Sequence, residues 1–213
     1  MSKTIIHMVR HGHVENPGRV LYGRLPGFVL SSAGAEQAAM LGRWFADSPL
    51  AAVIASPLER AQETAGAIAA HHDLEVVSEA RLIEASNVFE GIAGNVAWYI
   101  ARHPWRAWAL RDLRRPSWGE RNVDLVERMH AVVDDTRERF EGRETVLVSH
   151  QAPIWVARLA FERRPLGHAP HRRACALASV TTLTFADGHL ADIAYSEPAA
   201  AALKGIAQGP PGA

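Results

Sequence analysis

The sequence predicts an α/β fold built on a mainly parallel sheet. Short apolar runs of strand length alternate with longer segments whose apolar residues recur at helical spacing. Three of the runs lead into dense polar motifs: Met8–His13 (MVRHGH), Ala55–Ala61 (ASPLERA) and Leu147–Gln151 (LVSHQ). A chain of 213 residues is long enough for one core of its own.

The elements follow in order. Ile5–Val9 reads as a buried strand. A loop rich in Gly, Pro and Asn runs from Gly12 to Leu30. Ser31 or Ser32 can cap a helix reaching about Asp47, with Ala35, Ala38, Leu41 and Phe45 on its apolar face. Ala51–Ala55 is the second strand. Pro57 suits the first turn of the following helix, which needs no amide donor there and extends to about His72. Leu74–Val77 is a further short strand. Glu84–Trp118 breaks the alternation with Gly91, Gly94, Pro104 and Pro116 and holds Trp98, Trp105, Trp108 and Trp118. It reads as a partly helical cap, inserted over about residues 87–118. A helix covers about Glu120–Phe140, Thr145–Val148 is a strand, and Pro153 opens a helix to about Phe161. Cys175–Phe185, Asp187-Gly188 and His189–Tyr195 carry a hairpin signal. Residues 1–198 read as one domain and the alanine-rich 199–213 as a flexible tail.

Composition narrows the function classes. The chain is 48% hydrophobic and 22% charged, ordinary for a globular protein. Its formal net charge is zero, so no strong field favours nucleic acid or a membrane as partner. The basic clusters Arg111–Arg115 and Arg163, Arg164, Arg172 and Arg173 read as solvated surface, and their functional alternative is a rim that attracts anions. The lone Cys175 cannot form an intrachain disulfide and reads as a buried structural thiol. No signal-peptide pattern opens the chain, and no apolar stretch approaches a membrane span, so the cytoplasm is the expected location.

Ligands of open α/β sheets bind outside the carboxyl ends of the strands. The three motifs therefore bring Arg10, His11, Arg60 and His150 to one crevice. Guanidinium forks match phosphate oxygens. A neutral imidazole can attack phosphorus, and a charged one can stabilise anionic oxygens. The crevice is an anion site on these grounds.

Arg10-His11-Gly12, Ser56-Pro57-Leu58-x-Arg60-Ala61, Glu84 and Ser149-His150, taken together, resemble the histidine phosphatase superfamily in its bacterial phosphatase/mutase branch. The resemblance runs from about Thr4 to Tyr195. It implies a three-layer α/β/α, phosphoglycerate mutase-like fold. By the same resemblance, His11 is the nucleophile that becomes phosphorylated, and Arg10 and Arg60 hold the phosphoryl oxygens. His150 donates to them, and the Gln151 amide can add a donor. Glu84, in RLIEASNVFEG, matches the general acid, and Glu90 is the more structural carboxylate. A small phosphorylated substrate is the expected partner, with no cofactor and no metal.

Further substrate contacts are assigned to Asn16, His13, Tyr22 and Gln151. Mutases of the superfamily commonly place an asparagine six residues after the nucleophile, whereas Asn16 falls five after it. Asn16-Pro17 also suits a simple turn. Gln151 stands where glycine is usual. His7, His71, His72, His103, His130 and His189 read as surface or satisfied core residues.

A phosphatase is the favoured reading because Pro116–Glu120 resembles the Gly-Glu-Ser region of the phosphatases and the chain is shorter than typical mutases. Arg114-Arg115 favour the alternative, a cofactor-dependent phosphoglycerate mutase. A zinc hydrolase using His11, His13, His150 and Glu84 has the right ligand types, but the arginines would repel a cation in the same crevice. A non-catalytic phosphate-binding module is the third class, and retention of the whole catalytic set speaks against it.

Overall fold

Apolar residues alternate along the central strands, and the two sets face two different helical layers. The computed structural model describes residues 2–94, 96–110, 119–167 and 173–203. Its strands are β1 (Lys3–Arg10), β2 (Leu50–Ala55), β3 (Val76–Ser78), β4 (Glu144–Ser149), β5 (Val180–Ala186) and β6 (His189–Ser196). They form one sheet in the order β3-β2-β4-β1-β5-β6. β1, β2, β3 and β4 pair in parallel, and β5 pairs antiparallel with both β1 and β6. The sheet is thus mainly parallel.

The helices are α1 (Ser32–Phe45), α2 (Glu59–Ala69), α3 (Val96–Arg102), α4 (Asn122–Arg139) and α5 (Gln151–Phe161). On one face Ile6, Met8, Ile54, Leu147 and Leu183 pack against Met129 and Val133 of α4 and Ile154 and Ala157 of α5. On the other, Val9, Val53, Val146, Val148 and Val180 pack against Leu41 and Phe45 of α1 and Ala61, Ala65 and Ile68 of α2. This is the three-layer α/β/α arrangement, and strand alternation with period two produces it.

Several boundaries differ from expectation for local reasons. Ser31 caps α1, its hydroxyl accepting from the Gly34 amide. Pro57 lies outside α2, which begins two residues later with Leu58 at the N-cap position. Pro153 is the third residue of α5 rather than its first; no intrahelical bond needs its missing amide at that depth. Asp187 and Gly188, with φ of 50° and 80°, make the tight turn between β5 and β6. Ala176–Ser179, expected within the first hairpin strand, lies before β5. The packed chain also extends past the expected tail boundary. Ala199 is fully buried, and a 3-10 turn covers Ala200–Leu203. Residues 204–213 lie outside the described residues.

The cap begins and ends side by side, because Asn87 bridges to Gly119. A second bridge, Val20 to Ala93, joins it to the loop after β1. It holds α3 and a 3-10 turn over Pro104–Leu110. Arg111–Arg115, Trp118 and Arg172 lie outside the described residues. Among the described residues no helix is long and apolar enough to cross a membrane.

Candidate active site

Three adjacent strands end together. Beyond the last β1–β4 pair, Arg10 with Ser149, the His11 amide donates to the Ser149 carbonyl at 3.1 Å. Beside it, the Ser56 amide donates to the Val148 carbonyl at 2.9 Å. His11, Ser56 and His150 therefore leave β1, β2 and β4 side by side. The His11 and His150 ring centroids stand 5.0 Å apart.

His11 is buried, and its Nδ1 donates to the Gly12 carbonyl at 2.8 Å. A neutral ring that donates from Nδ1 keeps a lone pair on Nε2, which has no protein partner among the described residues. Burial, and then the charges of Arg60 and Arg10, hold the His11 pKa well below its ordinary value. His150 is lowered in the same way, by burial first and then by His11 and the two arginines. Both rings are neutral near pH 7.

Among the described residues each arginine is tied by one arm only. Arg10 Nη1 donates to the Cys175 carbonyl and Arg60 Nη2 to the Gly23 carbonyl, each at 2.7 Å. Among the described residues, the buried Arg10 Nε, Arg60 Nε, Arg60 Nη1 and His150 Nδ1 have no hydrogen-bond partner. Buried polar groups are otherwise almost always paired. A cluster of unpaired donors around a neutral imidazole suits an anion with several oxygens.

Thr64 braces the group. Its hydroxyl accepts from the Gly12 amide at 3.1 Å and donates to the Arg60 carbonyl at 2.7 Å. Gly12 is required for closeness, since a Cβ there would meet the Gly34 carbonyl oxygen at 2.7 Å. Tyr22 is buried, with the Arg60 guanidinium 4.7 Å from its ring centre and Phe28 stacked upon it.

Glu84 is buried at the crevice, within electrostatic reach of Tyr22, Arg60 and Arg173. Its side chain accepts from the Ala85 amide at 2.8 Å. Its carbonyl accepts from Arg24 Nε at 2.7 Å and Arg128 Nη2 at 3.4 Å. Glu120 ties those two arginines together, accepting from Arg24 at 2.7 Å and from Arg128 at 2.8 Å. Ser149 secures the preceding turn, its hydroxyl donating to the Leu82 carbonyl at 2.6 Å.

The remaining assignments divide. Gln151 is buried at the start of α5, with Nε2 3.4 Å from the Cys175 carbonyl and Oε1 unpaired. His13 Nδ1 is engaged with the Ser31 hydroxyl at 2.7 Å, and the ring lies within electrostatic reach of His11. Asn16 closes a turn, its amide both donating to and accepting from the Val20 backbone at 2.9 Å. Glu90 is structural. It accepts from the Asn87 amide and fills the space that a Cβ on Gly23 would need. His7, held between Thr182 and Glu144, is a satisfied core histidine.

Sequence reasoning missed the partners of these groups. Ser56 is bonded to His150 and Thr64 to Gly12, and Arg24, Glu120 and Arg128 surround Glu84. Arg173, read as surface, is half-buried near Glu84 and Arg10. Among the described residues no three His, Cys, Asp or Glu side chains form a metal-binding cluster, so the zinc set His11, His13, His150 and Glu84 is not assembled.

The chain belongs to the histidine phosphatase superfamily (branch 1), which it matches over residues 6–195. Its fold is phosphoglycerate mutase-like. It is 52% identical over 202 residues to the uncharacterized protein Rv0525 of Mycobacterium tuberculosis, covering 93% of this chain and 98% of that one. It is 30% identical over 155 residues to phosphoserine phosphatase 1 of Hydrogenobacter thermophilus, covering 69% of this chain and 71% of that one. A solved mycobacterial glucosyl-3-phosphoglycerate phosphatase, Rv2419c, superposes with a TM-score of 0.71 at 26% identity, covering 85% of this chain and 90% of that one.

Proposed function

We propose that the protein hydrolyses the phosphate monoester of a small metabolite through a phosphohistidine on His11, without a metal. The observation that carries this reading is the state of the His11 ring: its Nδ1 is fixed to the Gly12 carbonyl, and its Nε2 lone pair stands among buried, unpaired donors. Nε2 attacks phosphorus, and the bond to the ester oxygen breaks. Glu84, as the carboxylic acid, gives its proton to the departing alkoxide. Arg10, Arg60 and His150 Nδ1 stabilise the equatorial oxygens as charge moves across them. Water then attacks the phosphohistidine, loses a proton to the Glu84 carboxylate and releases inorganic phosphate. The arginines supply the positive charge a metal would otherwise bring.

Two relatives direct the substrate search. One is named for phosphoserine and one for glucosyl-3-phosphoglycerate, so small phosphorylated metabolites come first in a screen. Brief incubation with a substrate from that screen is expected to give an acid-labile, alkali-stable phosphoenzyme. His11→Ala removes both the label and the turnover, and excess chelator leaves the parent rate nearly unchanged. Turnover that survives His11→Ala refutes the mechanism. Transfer of phosphate to a phosphoglycerate in preference to water identifies a mutase instead.

A further inference from the structure

The two histidines of the crevice are held by opposite kinds of bond. His11 donates from Nδ1 to a backbone carbonyl, which leaves Nε2 bare. In His150 it is Nε2 that is engaged, 2.8 Å from the Ser56 hydroxyl, while Nδ1 lies buried with no partner among the described residues. Ser56 and His150 are both wholly buried, so water cannot complete either group's hydrogen bonding.

The Ser56 hydroxyl has one hydrogen to place. Its oxygen already accepts from the Leu58 amide at 3.4 Å. The only acceptor within its reach among the described residues is His150 Nε2. Were the ring's hydrogen on Nε2, the hydroxyl would accept twice and its own hydrogen would be buried unpaired, which native structures avoid. The groups around His150 are His11, Arg60, Arg10 and Arg128. An Nδ1 hydrogen in those surroundings has a natural acceptor in an anionic oxygen, whereas an Nδ1 lone pair would repel one.

We propose that Ser56 is a positioning residue that fixes the His150 tautomer: its hydroxyl donates to Nε2, so Nδ1 carries the ring hydrogen and presents it to a phosphoryl oxygen. The inference rests on reading the crevice as a phosphoryl-transfer site. It explains why the motif after β2 carries serine. Arg60 reaches the crevice from the same motif, and Ser56 acts there only through the imidazole across the sheet. It also divides the labour between the histidines. One is set as a lone-pair nucleophile and the other as a hydrogen-bond donor, while both stay neutral.

The test reads the ring directly. In protein labelled with 15N-histidine, the His150 signals are those lost in His150→Gln. In the parent protein near pH 7, Nδ1 is expected as the hydrogen-bearing nitrogen and Nε2 as the bare one. In Ser56→Ala the hydrogen moves to Nε2. Inhibition by orthovanadate weakens, and kcat falls by on the order of 10²-fold, the usual loss for one oxyanion donor. Ser56→Thr, which keeps the hydroxyl, restores the tautomer and most of the rate. A parent spectrum with the hydrogen on Nε2 overturns the proposal without recourse to any variant. So does a Ser56→Ala protein whose His150 spectrum and vanadate inhibition match the parent. The spectrum needs no substrate. A protein with hydrogen on Nδ1 that turned over no phosphate ester would refute the phosphatase reading and leave the tautomer assignment standing.

Discussion

A side-chain carbon on Gly34 would stand 1.9 Å from the His13 carbonyl oxygen. The first turn of α1 therefore meets the loop after His11 backbone against backbone. Gly34→Ala must push that loop away. Overpacking of this kind costs about 1–3 kcal/mol, and a displacement of about 1 Å at His11 can cost about 10²-fold in rate. Both losses are expected, in urea midpoint and in kcat. Gly66 in α2 is the control, because nothing lies within 4 Å of a Cβ there. Gly66→Ala should stabilise the protein by about 0.4–1 kcal/mol and leave kcat alone. Equal responses at the two positions would refute the packing argument.

The buried histidines predict an acid-sensitive fold. His11 and His150 are held well below 6.5, and His7 and His130 are lowered too, burial being the first cause in each case. As pH falls through about 6.5, the unfolded chain takes up protons that the folded chain refuses. Stability is therefore full above that pH and falls below it, levelling off only under the folded pKa values. Each histidine contributes a slope of up to about 1.4 kcal/mol per pH unit. Denaturant midpoints from pH 7.5 to 5 measure the slope, and His150→Gln should make it shallower. The acid limb of kcat/KM should likewise lie below 6.5; a limb near 7 would contradict a nucleophile kept neutral by its surroundings.

Glu120 sits where two arginines converge on the Glu84 carbonyl. Glu120→Gln weakens both attachments, which should cost about 1–3 kcal/mol of stability and loosen the general acid. Rates on alkyl phosphates are expected to fall much further than rates on aryl phosphates, whose leaving groups need little protonation. Glu84→Gln should show the same bias, with general acid catalysis worth roughly 10²–10⁴-fold. In that background Glu120→Gln should add little. A uniform loss on both ester types would mean that Glu120 serves the fold alone.

Trp98, Trp105 and Trp108 are 59%, 67% and 56% exposed. Arg102 lies over the Trp98 ring at 3.9 Å, and Trp105 meets His103 edge-on. Alanine at each position is expected to change stability by no more than about 0.5 kcal/mol. At least one should alter the ranking of phosphorylated substrates while a small aryl phosphate is still hydrolysed. If every variant keeps the parental ranking, specificity belongs to Gly12–Leu30 and the surroundings of Gln151.

The groups that meet in the crevice were legible in the sequence, and their supports were not. Arg10, His11, Arg60 and His150 follow apolar runs, and the rule that ligands bind at strand ends brings such residues together. Ser56 stood in a recognised motif, but its partner His150 comes from another strand, so no local pattern shows its task. Arg24, Glu120 and Arg128 are charged residues of loops and a helix face, and only tertiary contacts pair them. Asn16, one residue off the mutase spacing and beside a proline, also read as a turn, and its amide closes one onto Val20. Pro153 misplaced a helix start because any of the first helical positions tolerates a missing amide.

One length in the molecule is inherited rather than adjusted. Neighbouring strands of any sheet lie about 4.7–4.9 Å apart, and the rings of His11 and His150, on neighbouring strands one residue past their last pair, are 5.0 Å apart. Backbone hydrogen bonding thus acts as the gauge for the reacting centre. Changes in the cap or surface loops leave that gauge untouched, so such a scaffold can exchange one substrate for another without rebuilding its chemistry. A slip in register between β1 and β4 would reset it, and such a slip would also turn Ile6, Met8 and Leu147 away from their own side of the core.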